Sequence, residues 1–192
     1  MIFQLIPQDF GEEWHWTITR YQVAIAAGLL TKNDAVELLA GKLYKHIPED
    51  NRHAATIRLL THYFTNRLSK ALLISPEQPI ALGETDSQPE PNLVVCRHQA
   101  DYYSIAPPKP NNILLTIEVA ENSLIRARHL KAPLYARSLL PEYWIINLKE
   151  EQVEIYTQPS GERYGRLSTH ARGTTFESPF NGLTVVDELF PG

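Results

Sequence analysis

One carboxylate stands out in this sequence because it lies inside an apolar run. Glu118 belongs to the segment NILLTIEVA, whose Ile, Leu and Val residues favour a buried β-strand. Burying a charged side chain is costly unless the charge is paired or binds a cation. Glu118 is therefore the first candidate for a chemical role. The alternative is a buried carboxylate that pairs with an arginine or lysine for structural reasons.

Two further residues could form a site with Glu118. Lys131 follows at the predicted beginning of a helix, where the helix dipole disfavours a cation by about 0.3–1 kcal/mol unless a nearby carboxylate offsets it. Asn92 opens the neighbouring apolar run NLVVC, directly after a proline. Hydrolysis of a phosphodiester at neutral pH generally requires a metal ion held by carboxylates, with a cation nearby that positions water or stabilises charge. The sequence supplies the glutamate and the lysine, but it has Asn92 where a Pro-Asp pair would place a second carboxylate.

Composition and charge exclude several classes of protein. The chain has 192 residues, of which 43% are hydrophobic and 21% charged, and a net charge of −4. These values predict one globular domain over residues 1–192, on which any nucleic-acid-binding surface is local. The only cysteine, Cys96, excludes an internal disulfide and a cysteine-based zinc cluster. No run reaches the ~18 apolar residues of a membrane span and the first residues lack a basic leader, so we expect a cytoplasmic protein without a membrane partner.

Hydrophobic periodicity predicts the helices that frame these residues. Helical spacing is found over residues 17–29 and most clearly over residues 52–69. A third helix is predicted to begin near Ala132, because Pro133 is tolerated in a first turn but not in a helix interior. The segment VELLAGKLYKHI reads as two short strands around Ala40, with a helix beginning at Asp34 as the alternative.

Short apolar runs predict the strands. They are ALLIS, PIAL, NLVVC, ILLTIEVA, YWIIN and VEIYT. We predict an α/β fold whose central sheet includes residues 92–96, 113–119, 142–148 and 152–157, with the 52–69 helix packed on it. The last 35 residues are rich in β-forming residues and predict a β-rich C-terminal arm.

Taken together, these motifs resemble one family. WTITRYQVAIAAGLL, DAVELLAGKL, HAATIRLLTHYF, EPNLVV, LLTIEVAENSL, the K-x-P-L-Y-A block and PEYWIINL resemble, in this order, the segments of the Uma-two family of restriction-type endonucleases. That family is similar to the PD-(D/E)xK nuclease superfamily, and the resemblance covers most of the chain. It implies a restriction-endonuclease-like fold, in which helices flank a mixed central sheet, and a divalent-metal nuclease that acts on DNA.

The resemblance also implies the site residues. The family's catalytic positions correspond to Glu37, Asn92, Glu118 and Lys131, with Glu118 and Asn92 as ligands of Mg²⁺ or Mn²⁺. Lys131 would replace the usual superfamily lysine, which would fall at Ala120. The alternative for Glu37 is a carboxylate at the beginning of a helix.

The sequence departs from the family pattern at two positions. The metal-binding Asp of the family is Asn92 here, and an Asp four residues before the lysine is Ala127. Asparagine offers one neutral oxygen, so the affinity for a divalent ion should fall. Glu90 lies two residues before Asn92, on the same face of an extended chain, and is an alternative source of a carboxylate.

Two functions are compatible with these residues. The first is a metal-dependent endonuclease that hydrolyses DNA phosphodiester bonds and is weakened by the loss of the motif Asp. The second is a catalytically degraded dimeric module that binds nucleic acid or protein. Asn92 and Ala127 favour the second, whereas Glu118 and Lys131 favour the first. We expect a homodimer, because PEYW and the C-terminal arm would expose apolar surface and the resemblance implies dimers.

Overall fold

The computed structural model of the protein describes residues 13–180 and 182–192. Its strands are β1 (Val36–Leu39), β2 (Lys42–Lys45), β3 (Leu72–Pro76), β4 (Leu93–Arg97), β5 (Ile113–Ala120), β6 (Glu142–Asn147), β7 (Gln152–Ser160), β8 (Arg163–Ala171), β9 (Thr175–Ser178) and β10 (Gly182–Val185). Strands β3 to β8 form a mixed sheet in sequence order, in which only β5 and β6 run parallel. The predicted α/β fold and the four predicted strands of its central sheet are confirmed.

Helices cover both faces of this sheet. They are α1 (Ile18–Ala26), α2 (Asn51–Arg67), α3 (Leu124–Arg126) and α4 (Ala132–Arg137), with short 3₁₀ turns at Lys32–Asp34, Gly83–Thr85, Pro110–Asn112 and Val186–Leu189. Asp50 caps α2 by accepting the backbone N–H groups of Arg52 and His53. No helix in the described ranges is long and apolar enough to cross a membrane. The N-terminal segment, for which the sequence predicts no leader, lies largely outside the described residues.

Strand β5 has two buried faces with different contents. Leu115, Ile117 and Val119 belong to the core that α2 covers. Glu118 lies on the opposite face, as strand alternation requires. It accepts hydrogen bonds from Lys131 and Tyr135, which belong to the helical segment that runs from α3 to α4, residues 124–137, here called the α3–α4 segment. Because both faces are covered, the strand is nearly continuous in apolar residues, and Glu118 is the charged exception.

The third predicted helix is confirmed, because α4 begins at Ala132 with Pro133 in its first turn. Helical backbone already precedes it from Leu124, since α3 is followed by a π-helical turn at Ala127–Lys131. The backbone N–H of Ala132 donates to the carbonyl of Ala127, five residues earlier. This wider turn explains how Pro133 follows a helical segment, since the regular i→i−4 ladder is already interrupted there.

Three predictions about strands have a clear outcome. Strands β1 and β2 are confirmed and the helix alternative at Asp34 is wrong, because Asp34 instead closes a capping box with Thr31. The predicted strand PIAL is wrong, because Ile80 and Ala81 donate to two different segments and have no continuous partner. The predicted C-terminal arm is only partly separate. Strand β8 is the edge strand of the central sheet, whereas β9 and β10 form their own hairpin.

A partly buried ion pair connects the π-helical turn to the sheet. Arg128 donates two hydrogen bonds, of 3.0 and 2.6 Å, to the Glu154 carboxylate on β7. Asn147 and Tyr156 donate to the same carboxylate at 3.1 and 3.0 Å. Burial acts to raise the pKa of Glu154, but these hydrogen bonds outweigh it and lower the pKa below its ordinary value of 4.5.

We expect Glu154→Gln to remove an acid-sensitive contribution to stability. Because the folded-state pKa is lowered, the carboxylate stabilises the fold above pH 4.5, and this contribution is lost as the pH falls through the folded pKa. The variant should therefore be less stable than the natural chain by about 1.5–3 kcal/mol at neutral pH, and the difference should shrink in acid. Chemical denaturation at several pH values measures it, with the exposed Glu162→Gln as the control. A difference independent of pH would contradict the assignment.

Candidate active site

The four predicted site residues line one cleft of about 310 Å³. Glu37 comes from β1, Asn92 from the entry to β4, and Glu118 from the end of β5. Lys131 comes from the last position of the π-helical turn. The site is therefore built at the end of the central sheet, where the β1–β2 hairpin and the α3–α4 segment meet it.

A buried lysine joins the two glutamates. Nζ of Lys131 lies 2.9 Å from Oε1 of Glu118 and 3.1 Å from Oε2 of Glu37. The side chains of these three residues are exposed by only 7%, 9% and 3%. The hydroxyl of Tyr135 donates to the same Glu118 oxygen at 2.8 Å. Because two donors converge on Oε1, the orientation of the Glu118 carboxylate is fixed.

Burial has opposite effects on the pKa values of Glu118 and Lys131, the two members of this ion pair. Burial raises the pKa of Glu118, and the ammonium group of Lys131 counteracts this. Burial alone would lower the pKa of Lys131, but the carboxylates of Glu118 and Glu37 outweigh burial and raise it. A raised pKa favours the neutral acid at Glu118 and the charged form at Lys131. We take the ion pair as the state at neutral pH, because Lys131 and Tyr135 both donate to Glu118.

Asn92 has a structural partner that the sequence does not indicate. Its side-chain oxygen Oδ1 accepts the backbone N–H of Val119 at 2.8 Å. This bond connects the entry to β4 with the end of β5, beyond the last paired residues Leu93 and Ile117, and determines the orientation of the amide, since a backbone N–H needs an acceptor. The Asn92 oxygen is therefore neutral and already engaged by one hydrogen bond, which makes it a weaker ligand for a cation than a carboxylate. The amide nitrogen is a donor and does not bind a cation.

Glu37 lies on β1 and not at the beginning of a helix. Its Oε2 accepts the backbone N–H of Glu90 at 3.2 Å as well as the contact with Lys131. Its Oε1 lies 3.7 Å from the guanidinium of Arg126. Glu37 therefore connects the hairpin to both the β4 entry and the α3–α4 segment.

Sequence reasoning missed Tyr135 and Arg126 as neighbours of the site. Tyr135 follows Lys131 by four residues, and this helical spacing could have indicated that both side chains reach Glu118. Arg126 is positioned by the carbonyl of Lys45, to which it donates at 2.6 Å. No local pattern predicts that long-range contact.

Few side chains of the cleft are available as ligands for a metal ion. Within residues 13–180 and 182–192, no group of three or more His, Cys, Asp or Glu side chains could hold a metal ion. Mg²⁺, however, is commonly bound by one or two protein carboxylates, together with waters and substrate phosphates. Glu118 can provide such a carboxylate, because both of its hydrogen bonds from described residues go to Oε1 and leave Oε2 for the cleft. The donor chemistry fits a weakly held Mg²⁺ or Mn²⁺.

Comparison with known proteins agrees with this architecture. The family described as "Uma2: Putative restriction endonuclease" matches residues 24–186. A crystal structure of "a putative nuclease belonging to DUF820 from Anabaena variabilis ATCC 29413" is similar with a TM-score of 0.70 and 16% sequence identity, over 91% of this chain and 97% of that one. At this identity the likeness shows the fold. No curated protein matches the chain significantly. With most of its length matched by the family, from the first helix to the C-terminal 3₁₀ turn, the chain belongs to the Uma2 family of putative restriction endonucleases.

Proposed function

We propose that the protein is a metal-dependent endonuclease that hydrolyses DNA phosphodiester bonds slowly. The observation that carries the proposal is the Lys131–Glu118 ion pair, with an N–O distance of 2.9 Å, at a cleft that also contains Asn92 and Glu37. Burying a charged lysine beside a carboxylate is costly for stability, and ionisable groups in such environments cluster at functional sites.

The residues of the chain have separate roles in this proposal. Tyr135 and Lys131 orient the Glu118 carboxylate by donating to Oε1. The ammonium group of Lys131 stabilises negative charge that develops on the phosphate, and Glu37 holds that ammonium group in place. Bound Mg²⁺ or Mn²⁺, held by Glu118 with the help of the residues at the β4 entry, would neutralise phosphate charge and acidify water.

The expected activity is slow nicking of supercoiled plasmid in Mn²⁺ or Mg²⁺ by the natural chain. Glu118→Gln should abolish it, because the amide removes the carboxylate that faces the cleft. EDTA should abolish it as well. Glu84→Gln removes the same charge from an exposed position outside the cleft and is the matched control. Equal nicking by the natural chain and Glu118→Gln would show that the activity does not come from this cleft.

A second candidate function rests on a different aspect of the same geometry. Lys131 already provides a cation for both Glu118 and Glu37, and the Asn92 oxygen is engaged by Val119. A site that needs no metal is compatible with a degraded module that binds nucleic acid or protein. A DNA duplex that is retarded in a gel without being cut in either metal would favour this function.

We also propose a homodimer in the cytoplasm, but with a changed reason for the dimer. The PEYW segment does not expose aromatic surface in the described protomer, since Tyr143 and Trp144 are fully buried. Exposed apolar side chains remain on the C-terminal strands: Leu167, Leu183 and Val185. Light scattering is expected to give twice the protomer mass of 21.9 kDa. A mass equal to that of one protomer at micromolar concentration would rule out the dimer.

A further inference from the structure

The entry to β4 carries a carboxylate that the predicted ligand set does not include. Glu90 lines the same cleft as Glu118 and Asn92, two residues before Asn92. Its backbone N–H donates to Glu37 at 3.2 Å, which fixes the chain next to the buried ion pair. The position of Glu90 is therefore tied to the site by its backbone, independently of its side chain.

The Glu90 side chain has little to neutralise it. Among the described residues its one ion-pair candidate is His46, whose Nε2 lies 3.7 Å from Oε2, beyond hydrogen-bonding distance. Both side chains are a little over one-third exposed, so Glu90 is partly withdrawn from water but still open to the cleft. A cation entering the cleft would relieve this unfavourable environment.

Asn92 is a poorer ligand than Glu90. Its side-chain oxygen is neutral and already accepts the backbone N–H of Val119, and its amide nitrogen is a donor that does not bind a cation. We infer that Glu90, and not Asn92, is the second protein ligand of the divalent cation in this chain, together with Oε2 of Glu118. This inference rests on the proposed function, because it concerns the metal at that same site.

Binding of Mn²⁺ to the full chain, measured from the electron paramagnetic resonance signal of the free ion, tests the inference without requiring cleavage. Glu90→Gln should weaken Mn²⁺ binding by about tenfold or more, because it removes one of two ligand carboxylates. Glu90→Asp keeps the charge but draws the carboxylate back, so it should weaken binding less. Glu84→Gln, outside the cleft, should bind as the natural chain does. Thermal unfolding without metal shows that each variant is folded.

The outcomes separate this inference from the proposed function. Loss of binding in Glu90→Gln, but not in Glu84→Gln, supports the inference. Equal binding by Glu90→Gln and the natural chain overturns it and leaves the proposed function intact. If Asn92→Asp binds Mn²⁺ but the natural chain does not, Glu90 is not a second ligand and the inference is wrong. The proposal of a metal site weakened at position 92 then remains supported. If neither the natural chain nor Asn92→Asp binds Mn²⁺, the metal-dependent function itself fails.

Discussion

Lys131→Met is expected to destabilise the fold by about 3–5 kcal/mol at neutral pH, because it leaves buried carboxylates without their counter-charge. The Lys131 ammonium group lies within 3.1 Å of both Glu37 and Glu118, and its side chain is 7% exposed. Methionine fills a similar volume, so the loss reflects charge and not a cavity. Chemical denaturation monitored by circular dichroism measures the change.

The pH dependence of this variant provides a second test. Burial already raises the pKa of Glu118, and removal of Lys131 removes the group that counteracts burial. A carboxylate whose folded-state pKa lies above its unfolded value favours folding below the unfolded value, and this contribution is lost as the pH rises through the folded pKa. The deficit of Lys131→Met should therefore shrink toward acid pH.

Arg137→Met is the matched control, since it also removes a cation from the helical segment. Its pair with Glu162 has an N–O distance of 3.2 Å, but both side chains are at least 60% exposed. An exposed pair of this kind contributes less than about 1 kcal/mol. A similar small effect for Lys131→Met at neutral pH would contradict the view that Lys131 is a buried counter-ion.

Asn92→Asp is expected to raise the affinity for Mg²⁺ and Mn²⁺ by about tenfold or more, because it adds a ligand charge at the cleft. One carboxylate oxygen can keep the bond from the Val119 backbone, for which the Asn92 oxygen is the present acceptor. The other oxygen then takes the place of the amide nitrogen. Calorimetric titration measures the affinity, and faster plasmid nicking should accompany it.

The same substitution should also change stability in a way that depends on metal. Without metal, the new charge adds to the carboxylates already present in the cleft and should lower the melting temperature. Saturating Mg²⁺ should reverse that loss, because a ligand bound only to the folded state stabilises it. Asn92→Ala removes the acceptor for Val119 and should lower stability with or without metal. An Asp variant that behaves like the alanine variant would contradict the proposed role of position 92.

The strands of the sheet and the importance of Glu118 could be predicted, because both depend on local sequence. Apolar runs of strand length predicted β4, β5 and β6, and the charge within an apolar run singled out Glu118. The segment PIAL has the same composition, but its backbone bonds go to residues distant in sequence, so pattern alone misassigned it. The sequence likewise predicts exposed aromatic residues at PEYW, although the neighbouring strands β5 and β7 bury Tyr143 and Trp144.

The details of the site depend on contacts that no local pattern encodes. The bond from Val119 to Asn92 joins two strands that are separated by a long connection, and it determines the orientation of the amide. The contact of Lys131 with Glu37 likewise depends on where the β1–β2 hairpin packs. The position of Tyr135 next to Lys131, in contrast, could have been predicted from their helical spacing alone.

The most direct test of the central claim compares plasmid nicking by Asn92→Asp and by the double variant Asn92→Asp, Glu118→Gln in Mg²⁺. If the cleft is a nuclease site that lacks one carboxylate, Asn92→Asp nicks DNA faster than the natural chain, and the double variant does not nick. If Asn92→Asp does not nick DNA, or if the double variant nicks equally well, the cleft at Glu118 is not a metal-dependent nuclease site.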